Sequence, residues 1–220
     1  MKKSILSSVL AAAVSIFTIS TADAQEGFYI GIQGAQQATG MFNRDDIDAD
    51  NFKYKMTAGQ TFGLGGGYNF NKNMGVAVEA MYSIEGQEYE LNGTMLREKL
   101  SYVKVPVLFS YNTNPEAKVM FTAKAGPQVG MLVKANLKDG DGDVLVDDTK
   151  DDYKTFAFGA VVGAGARINL AKNLYFDAGL RLDGNFTNSE EPVMNEANVE
   201  KAKTYNMNAG IELGIKYFFN

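Results

Sequence analysis

The stretch that decides the fold lies at the end of the chain, where residues 205–219 read YNMNAGIELGIKYFF. Every odd position of this stretch is apolar, and every even position except Phe218 is polar or glycine. Successive side chains of a β-strand point to opposite faces, so one face of this strand can contact lipid while the other contacts a polar interior. This alternation is typical of a transmembrane β-barrel strand.

Seven further segments alternate in the same way, which predicts an all-β fold: an eight-stranded antiparallel transmembrane up-and-down β-barrel. The predicted strands lie at about 27–36, 57–70, 74–85, 99–111, 118–133, 153–170, 174–186 and 204–219. The connections alternate in length. They are short near 71–73, 112–116 and 171–173, and long near 37–56, 86–98, 134–152 and 188–203. Short turns on one rim and long loops on the other are typical of outer-membrane barrels. With an even number of strands, both termini lie on the short-turn rim, which we expect to face the periplasm.

Composition narrows the possible functions. The chain has 220 residues, enough for one all-β domain, and contains no Cys and no His. These absences exclude thiol nucleophiles, histidine bases and most zinc sites. A mean hydropathy of −0.17 excludes a helical membrane protein, and a net charge of −5 argues against a nucleic-acid partner. We therefore expect a non-enzymatic protein without a cofactor or a metal.

The N-terminus has the pattern of an export signal. Lys2 and Lys3 precede an apolar stretch at about 5–19, and Ala22 and Ala24 supply the small residues of a cleavage site. We predict that residues 1–24 are a signal peptide that is removed, leaving residues 25–220 as the barrel domain. The alternative, a membrane anchor, would need a longer apolar run. An exported, strand-rich chain without Cys predicts the outer membrane of a Gram-negative cell.

The predicted inner faces contain nine charged residues. Five are cations and four are anions: Lys104, Lys124, Arg167, Arg181 and Lys216, with Glu79, Asp177, Asp183 and Glu212. Eight strands enclose a lumen that side chains can fill, and buried charges persist when they are paired. The balance of charges predicts a salt-bridged plug, with a narrow channel as the alternative.

A soluble lipocalin-like barrel, the alternative fold, would place the apolar faces inside.

Glycine and proline residues interrupt the strand pattern. Gly63, Gly65 and Gly67 share the inner face of one strand, where we expect them to make room for long side chains from across the barrel. Pro106 and Pro127 lie within strands, and each removes a ladder donor. We expect a bulge or a local break at each proline.

An acidic loop contains Asp139, Asp141 and Asp143 at the spacing that begins a calcium-binding loop. Val144 and Lys150 stand where such a loop needs Gly and Glu. We interpret the segment as a solvated loop, with weak binding of divalent cations as the alternative. Both interpretations also apply to Asp45, Asp46, Asp48 and Asp50.

Two strands carry a family resemblance. Residues 102–109 (YVKVPVLF) and 125–132 (AGPQVGML) resemble the paired proline strands of the PorT-type outer-membrane β-barrel family, and the glycine-rich residues 159–166 fit as well. The resemblance extends from about residue 27 to the end of the chain. It implies an outer-membrane barrel, and the family's named member takes part in type IX protein secretion through partner proteins. Such barrels often end in an aromatic residue recognised by the barrel assembly machinery. Here Ile215, Tyr217 and Phe219 share the outward face, and Asn220 follows them.

These observations predict a protein that serves envelope structure, or surface and partner interactions, through its long loops. An accessory role in type IX secretion and a narrow small-solute channel are the alternatives. The expected partners are outer-membrane lipid and lipopolysaccharide, the assembly machinery and possible secretion-complex proteins.

Overall fold

A computed structural model describes residues 26–43, 52–91, 93–113, 117–191 and 203–219. The predicted signal peptide and the four aspartates at 45–50 lie outside the described residues. The strands are β1 (Gly27–Phe42), β2 (Phe52–Asn69), β3 (Met74–Leu91), β4 (Thr94–Asn112), β5 (Val119–Asp139), β6 (Val144–Val146), β7 (Phe156–Ala171), β8 (Leu174–Asn185) and β9 (Tyr205–Phe218). A single turn of 3₁₀-helix spans Lys150–Asp152. Among the described residues, no helix is long and apolar enough to cross a membrane.

Eight of these strands form a closed antiparallel barrel, as the alternation predicts. Each barrel strand pairs with the next along the chain, β5 pairs with β7, and β9 pairs with β1 to close the sheet. The short strand β6 lies in the connection after β5 and pairs with the end of β5. We call the rim with the described chain ends and short turns the terminal rim, and the opposite rim the loop rim.

The outer face is apolar and the inner face is polar. Ile32, Leu64 and Leu180 each expose 63–64% of their surface, whereas the inward Lys104, Arg167 and Arg181 are buried. A water-soluble barrel would place these sets the other way round. The lipocalin-like alternative is therefore wrong, and the apolar belt has the arrangement of a membrane-spanning barrel.

The strands extend further toward the loop rim than the sequence pattern predicts. The predicted long loop at 86–98 is instead the continuation of β3 and β4, whose paired ends Leu91 and Thr94 meet beside Gly93. Gly93 has φ +81°, a conformation that glycine adopts without strain. The residue pattern did not predict this hairpin, because many of its residues are polar and a strand above the membrane needs no lipid-facing side.

The prolines break the ladder without changing its register. Pairing of β3 with β4 stops between Val78 and Met81, opposite Pro106, and resumes in the same register. The β4–β5 ladder is interrupted in the same way at the level of Pro127. The predicted local break is present, but no bulge accompanies it, since the flanking hydrogen bonds hold the alignment. Bulges occur instead between Met56 and Gln60 of β2 and in β5 opposite Ser101 and Tyr102.

Candidate functional site in the barrel interior

Two apolar clusters lie inside the barrel. The terminal cluster consists of Tyr29, Ala77, Leu108, Met120, Val161, Tyr175 and Phe218. The loop-side cluster consists of Met41, Leu100, Tyr102, Leu132, Ala135, Tyr153 and Ala157. The sequence pattern gave no sign of these clusters, because the inner faces as a whole are polar.

Phe218 shows how the terminal cluster is built. Its ring centroid lies 4.9 Å from that of Tyr29 and 5.2 Å from that of Tyr175, and its side chain is fully buried. These separations are typical of packed aromatic pairs. The single exception to the alternation of β9 is therefore an inward aromatic that helps to fill the terminal end of the lumen.

A central group of seven charged residues follows the inner wall. Lys104 pairs with Glu85 and, at 2.7 Å, with Asp183. Arg181 lies 3.6 Å from Asp183 and donates to Glu79 at 3.1 Å and to Glu212 at 2.7 Å. Lys124 then bridges Glu79 at 3.1 Å and Glu212 at 2.6 Å. The group forms one continuous chain of ion pairs, with four anions and three cations.

A second group of three charged residues lies against the terminal cluster. Arg167 donates to both carboxylate oxygens of Asp177, at 2.8 and 3.0 Å, and Lys216 lies 2.9 Å from the same carboxylate. The Arg167 guanidinium lies 5.8 Å from the ring of Phe218, and the Lys216 ammonium 5.1 Å from that of Tyr29. Cation–π contacts thus supplement the one carboxylate that the two cations share.

The structure places all nine charged residues singled out from the sequence in these two groups, and it adds Glu85. Glu85 has the same parity as Glu79 on β3, so the alternation contained the signal that would have identified it. With Glu85 included, the two groups contain five cations and five anions. The central group has a net charge of −1 and the second a net charge of +1.

Little free space remains around these side chains. Arg181 is completely buried, although it lies at the centre of the charged layer. A space of about 30 Å³ between the two groups is lined by Glu79, Lys124, Asp177 and Lys216, among others. Such a volume holds about two water molecules. In the described part of the chain, ionic contacts thus occupy the middle of the lumen and apolar clusters lie toward its two ends.

The inner-face glycines make room for neighbouring strands, not for the opposite wall. A Cβ at Gly67 would lie 2.5 Å from the ring of Tyr29 on β1, and one at Gly65 would lie 3.1 Å from Cγ of Glu79 on β3. A Cβ at Gly63 would lie 2.8 Å from the sulfur of Met81. The large side chains of β1 and β3 lie against the inner face of β2. The expectation that these glycines make room for side chains from across the barrel is therefore wrong.

The outward residues of the last strand lie near the terminal rim. Ile215, Tyr217 and Phe219 are all exposed on the outer face, and the rings of Tyr217 and Phe219 pack edge to face at 5.3 Å. An assembly factor that binds this strand would find the three side chains accessible on one face.

The acidic loop folds around its own first carboxylate. Oδ1 of Asp139 accepts hydrogen bonds from the backbone N–H groups of Asp141, Gly142 and Asp143, at 2.9–3.1 Å. This contact stabilises the turn between β5 and β6. In the part of the chain that the structure describes, no group of three or more acidic side chains is placed to hold a metal ion.

Two tyrosines near the loop rim have perturbed ionisation. Burial, followed by the nearby Glu98 carboxylate, raises the pKa of Tyr89 to about 12. The same two causes raise the pKa of Tyr153 well above its ordinary value, and Tyr153 also forms a side-chain hydrogen bond with Glu98. These groups stay neutral at physiological pH and act as part of the packing.

Comparisons with known proteins agree with this architecture. Neisserial surface protein A is similar in structure, with a TM-score of 0.51 and 15% identity over 88% of this chain and 98% of that chain. OprG from Pseudomonas aeruginosa gives a TM-score of 0.50 and 12% identity over 89% and 98%. At such identities the likeness shows the fold alone. No curated protein matches the sequence significantly.

The model of one protein family matches residues 9–213, which is most of the chain. Together with the outward apolar belt and the closed sheet, this match places the protein among outer-membrane barrels. The chain belongs to the outer membrane protein beta-barrel domain family.

Proposed function

We propose that the protein is a non-enzymatic barrel with a closed interior, which serves envelope structure and contacts partners through the loop rim. The observation that carries this proposal is the continuous layer of ion pairs, together with the apolar clusters inside the same lumen. A conducting pore needs a hydrated path, and buried charges that pair with their neighbours across the lumen support the absence of such a path. The sequence contains no His or Cys to support common nucleophilic chemistry.

Planar-bilayer recording tests the closed interior. The refolded barrel should give no reproducible conductance steps, and a shift on unboiled gels should confirm that the recorded sample is folded. Reproducible steps from folded protein would contradict the closed interior and favour the narrow channel.

We place the loop rim on the cell surface, with the termini in the periplasm. Because the chain has no Cys, single cysteines can report this orientation directly. Asp141→Cys lies in the exposed β5–β6 turn, and Lys172→Cys lies in the exposed turn between β7 and β8 on the terminal rim. A membrane-impermeant maleimide added to whole cells should label the first variant only. Labelling of the second variant alone would reverse the orientation.

Two parts of the targeting proposal concern the ends of the chain. We propose that cleavage after Ala24 makes Gln25 the first mature residue, which the intact mass of the exported protein would test. We also propose that the assembly machinery binds Ile215, Tyr217 and Phe219. Phe219→Ser should lower the amount of barrel inserted in cells, while refolding in detergent stays normal. Equal amounts of parent and variant in the outer membrane would argue against that role.

An accessory role in type IX secretion is the second candidate. The two proline motifs that resemble the PorT-type family lie on neighbouring strands, where the outward Val105 of β4 is paired with the outward Val129 of β5. A partner could therefore bind both motifs on one part of the wall. Comparing the secreted proteins of a deletion strain with those of its parent tests this role. Cargo retained in the periplasm would support it, and unchanged secretion would leave the structural role.

A further inference from the structure

The outer wall contains a polar cavity next to the apolar belt. It has a volume of about 250 Å³, and its lining includes Gln36, Gln60, Ile84, Arg97, Lys99 and Lys138. Gln36 and Gln60 lie on the outward face, and the amide of Gln60 donates to that of Gln36 at 3.2 Å. Amides on a face that is otherwise apolar indicate a place where the wall meets something other than hydrocarbon.

Two bulges create this cavity. Between Met56 and Gln60, three residues of β2 lie opposite two residues of β3. This bulge opens the outer surface beside Gln60. The extra residue of β5 opposite Ser101 and Tyr102 reverses the parity of the strand, so that Lys138 becomes the outward partner of Arg97. Neither bulge leaves a signature in the hydrophobic pattern, and the sequence therefore gave no sign of this site.

The cavity has an excess of positive charge. Lys99 forms no ion pair with any residue that the structure describes, while Arg97 pairs with Glu88. Among the residues that the structure describes, the Lys138 ammonium pairs with no carboxylate and donates to the backbone carbonyl of Gly142 at 3.1 Å.

Two carboxylates belong to residues of the lining, but both are engaged in other contacts. Glu85 pairs with Lys104 in the interior, and Glu98 forms its hydrogen bond with Tyr153. Arg97 is held by Glu88 and the Gln36 amide donates to the carbonyl of Gly59, so the groups left to meet a ligand are Lys99, Lys138 and the amide of Gln60.

The position of the cavity indicates an amphiphilic ligand. Phe62 follows Gln60 on the outer face of β2, and Val103 follows Lys99 and Ser101 on β4, so lipid-facing side chains continue directly below the cavity. We propose that this cavity binds the phosphorylated sugar headgroup of an outer-leaflet glycolipid, with its acyl chains along the belt. Lys99 and Lys138 contact phosphate oxygens, and the carbonyl oxygen of the Gln60 amide accepts from a sugar hydroxyl, whereas Arg97 stays paired with Glu88. The cavity is smaller than the ~300 Å³ at which ligand pockets usually begin, so it takes one phosphorylated sugar of the headgroup and leaves the acyl chains outside.

The inference rests on the orientation proposed above, and native mass spectrometry of the refolded barrel tests it. The probes are bis-phosphorylated lipid A, the same lipid without phosphates, and inorganic phosphate. The parent should retain one bis-phosphorylated lipid. Lys99→Gln should weaken retention about fivefold and Lys99→Gln with Lys138→Gln about 25-fold, given the usual contribution of a basic residue near an anionic lipid. Lys150→Gln, on an exposed loop outside the cavity, is the charge-matched control and should bind like the parent.

Three results would overturn the proposal: equal retention of the lipid without phosphates, equally tight binding of inorganic phosphate, or equal retention by the parent and the double variant. A gel shift on boiling shows that each variant is folded, so loss of binding cannot be mistaken for misfolding. Conductance by the parent would contradict the closed interior and leave the lipid result standing. The two proposals can therefore fail separately.

Discussion

Arg181→Met offers the sharpest test of the ionic interior. Arg181 is completely buried and contacts three carboxylates, those of Glu79, Asp183 and Glu212. Methionine keeps much of the side-chain length and removes the charge. The central group then has four anions and only two cations, so its net charge changes from −1 to −2.

Removal of one partner from a buried ion pair typically costs about 3–5 kcal/mol, since the remaining charge stays buried without compensation. We expect Arg181→Met to lower the free energy of unfolding by that amount. Adding Glu212→Gln removes one of the uncompensated anions. The double variant should therefore recover part of the loss, with a coupling energy of about 0.5–3 kcal/mol.

Urea unfolding of the barrel in lipid vesicles, followed by the gel shift of the folded form, measures these differences. Lys118→Met, at an exposed position of the terminal rim just before β5, serves as the control and should stay within about 0.5 kcal/mol of the parent. The reasoning fails if Arg181→Met costs less than about 1 kcal/mol. It also fails if Glu212→Gln makes the Arg181 variant less stable still.

Three further predictions concern packing and ionisation. Gly67→Ala should cost about 1–3 kcal/mol in the same urea assay, because its new methyl would lie 2.5 Å both from the ring of Tyr29 and from the backbone carbonyl of Val76; no loss would mean that the ring and the neighbouring strand both give way. Phe218→Ala should cost about 3–5 kcal/mol and Phe219→Ala clearly less, because only Phe218 is fully buried; equal losses would contradict the inward position of Phe218. The phenol of Tyr89 should ionise near pH 12, measured as the difference in ultraviolet absorbance between the parent and Tyr89→Phe. An unfolded tyrosine ionises near pH ~10, so the stabilisation from neutral Tyr89 is complete below that pH and is lost as the pH rises to about 12. Ionisation near pH 10 in the folded protein would contradict the burial of Tyr89.

The alternation of residues predicted the barrel because the constraint is local and strict. A lipid-facing strand repeats every two residues, so Ile211, Leu213 and Ile215 alone indicate which side of β9 faces outward. The same rule brought Lys104 and Asp183 to one lumen, although 79 positions separate them in the chain. Which cation meets which anion depends on the stagger of the strands, and the residue pattern contains no information about stagger.

Features that depart from the two-residue period escaped the pattern. The bulge in β5 reverses its parity after Met131, which places Lys138 on the outer wall. Phe218 appears as an exception until the aromatic contacts of Tyr29 and Tyr175 explain it. The upper half of the β3–β4 hairpin was missed because its residues do not follow the apolar–polar alternation that contact with lipid imposes.

The exact balance of the interior charges has an evolutionary consequence. The ten ionised side chains of the two groups have a net charge of zero, so a single substitution that alters one charge leaves another charged side chain buried without a partner. Divergence of this lumen should therefore proceed by paired exchanges, such as a reversal of Lys124 together with Glu212. The outer belt needs only apolar side chains, so it can change by single substitutions. In related chains, the charged positions of the lumen should therefore covary, whereas the lipid-facing positions should vary independently of one another.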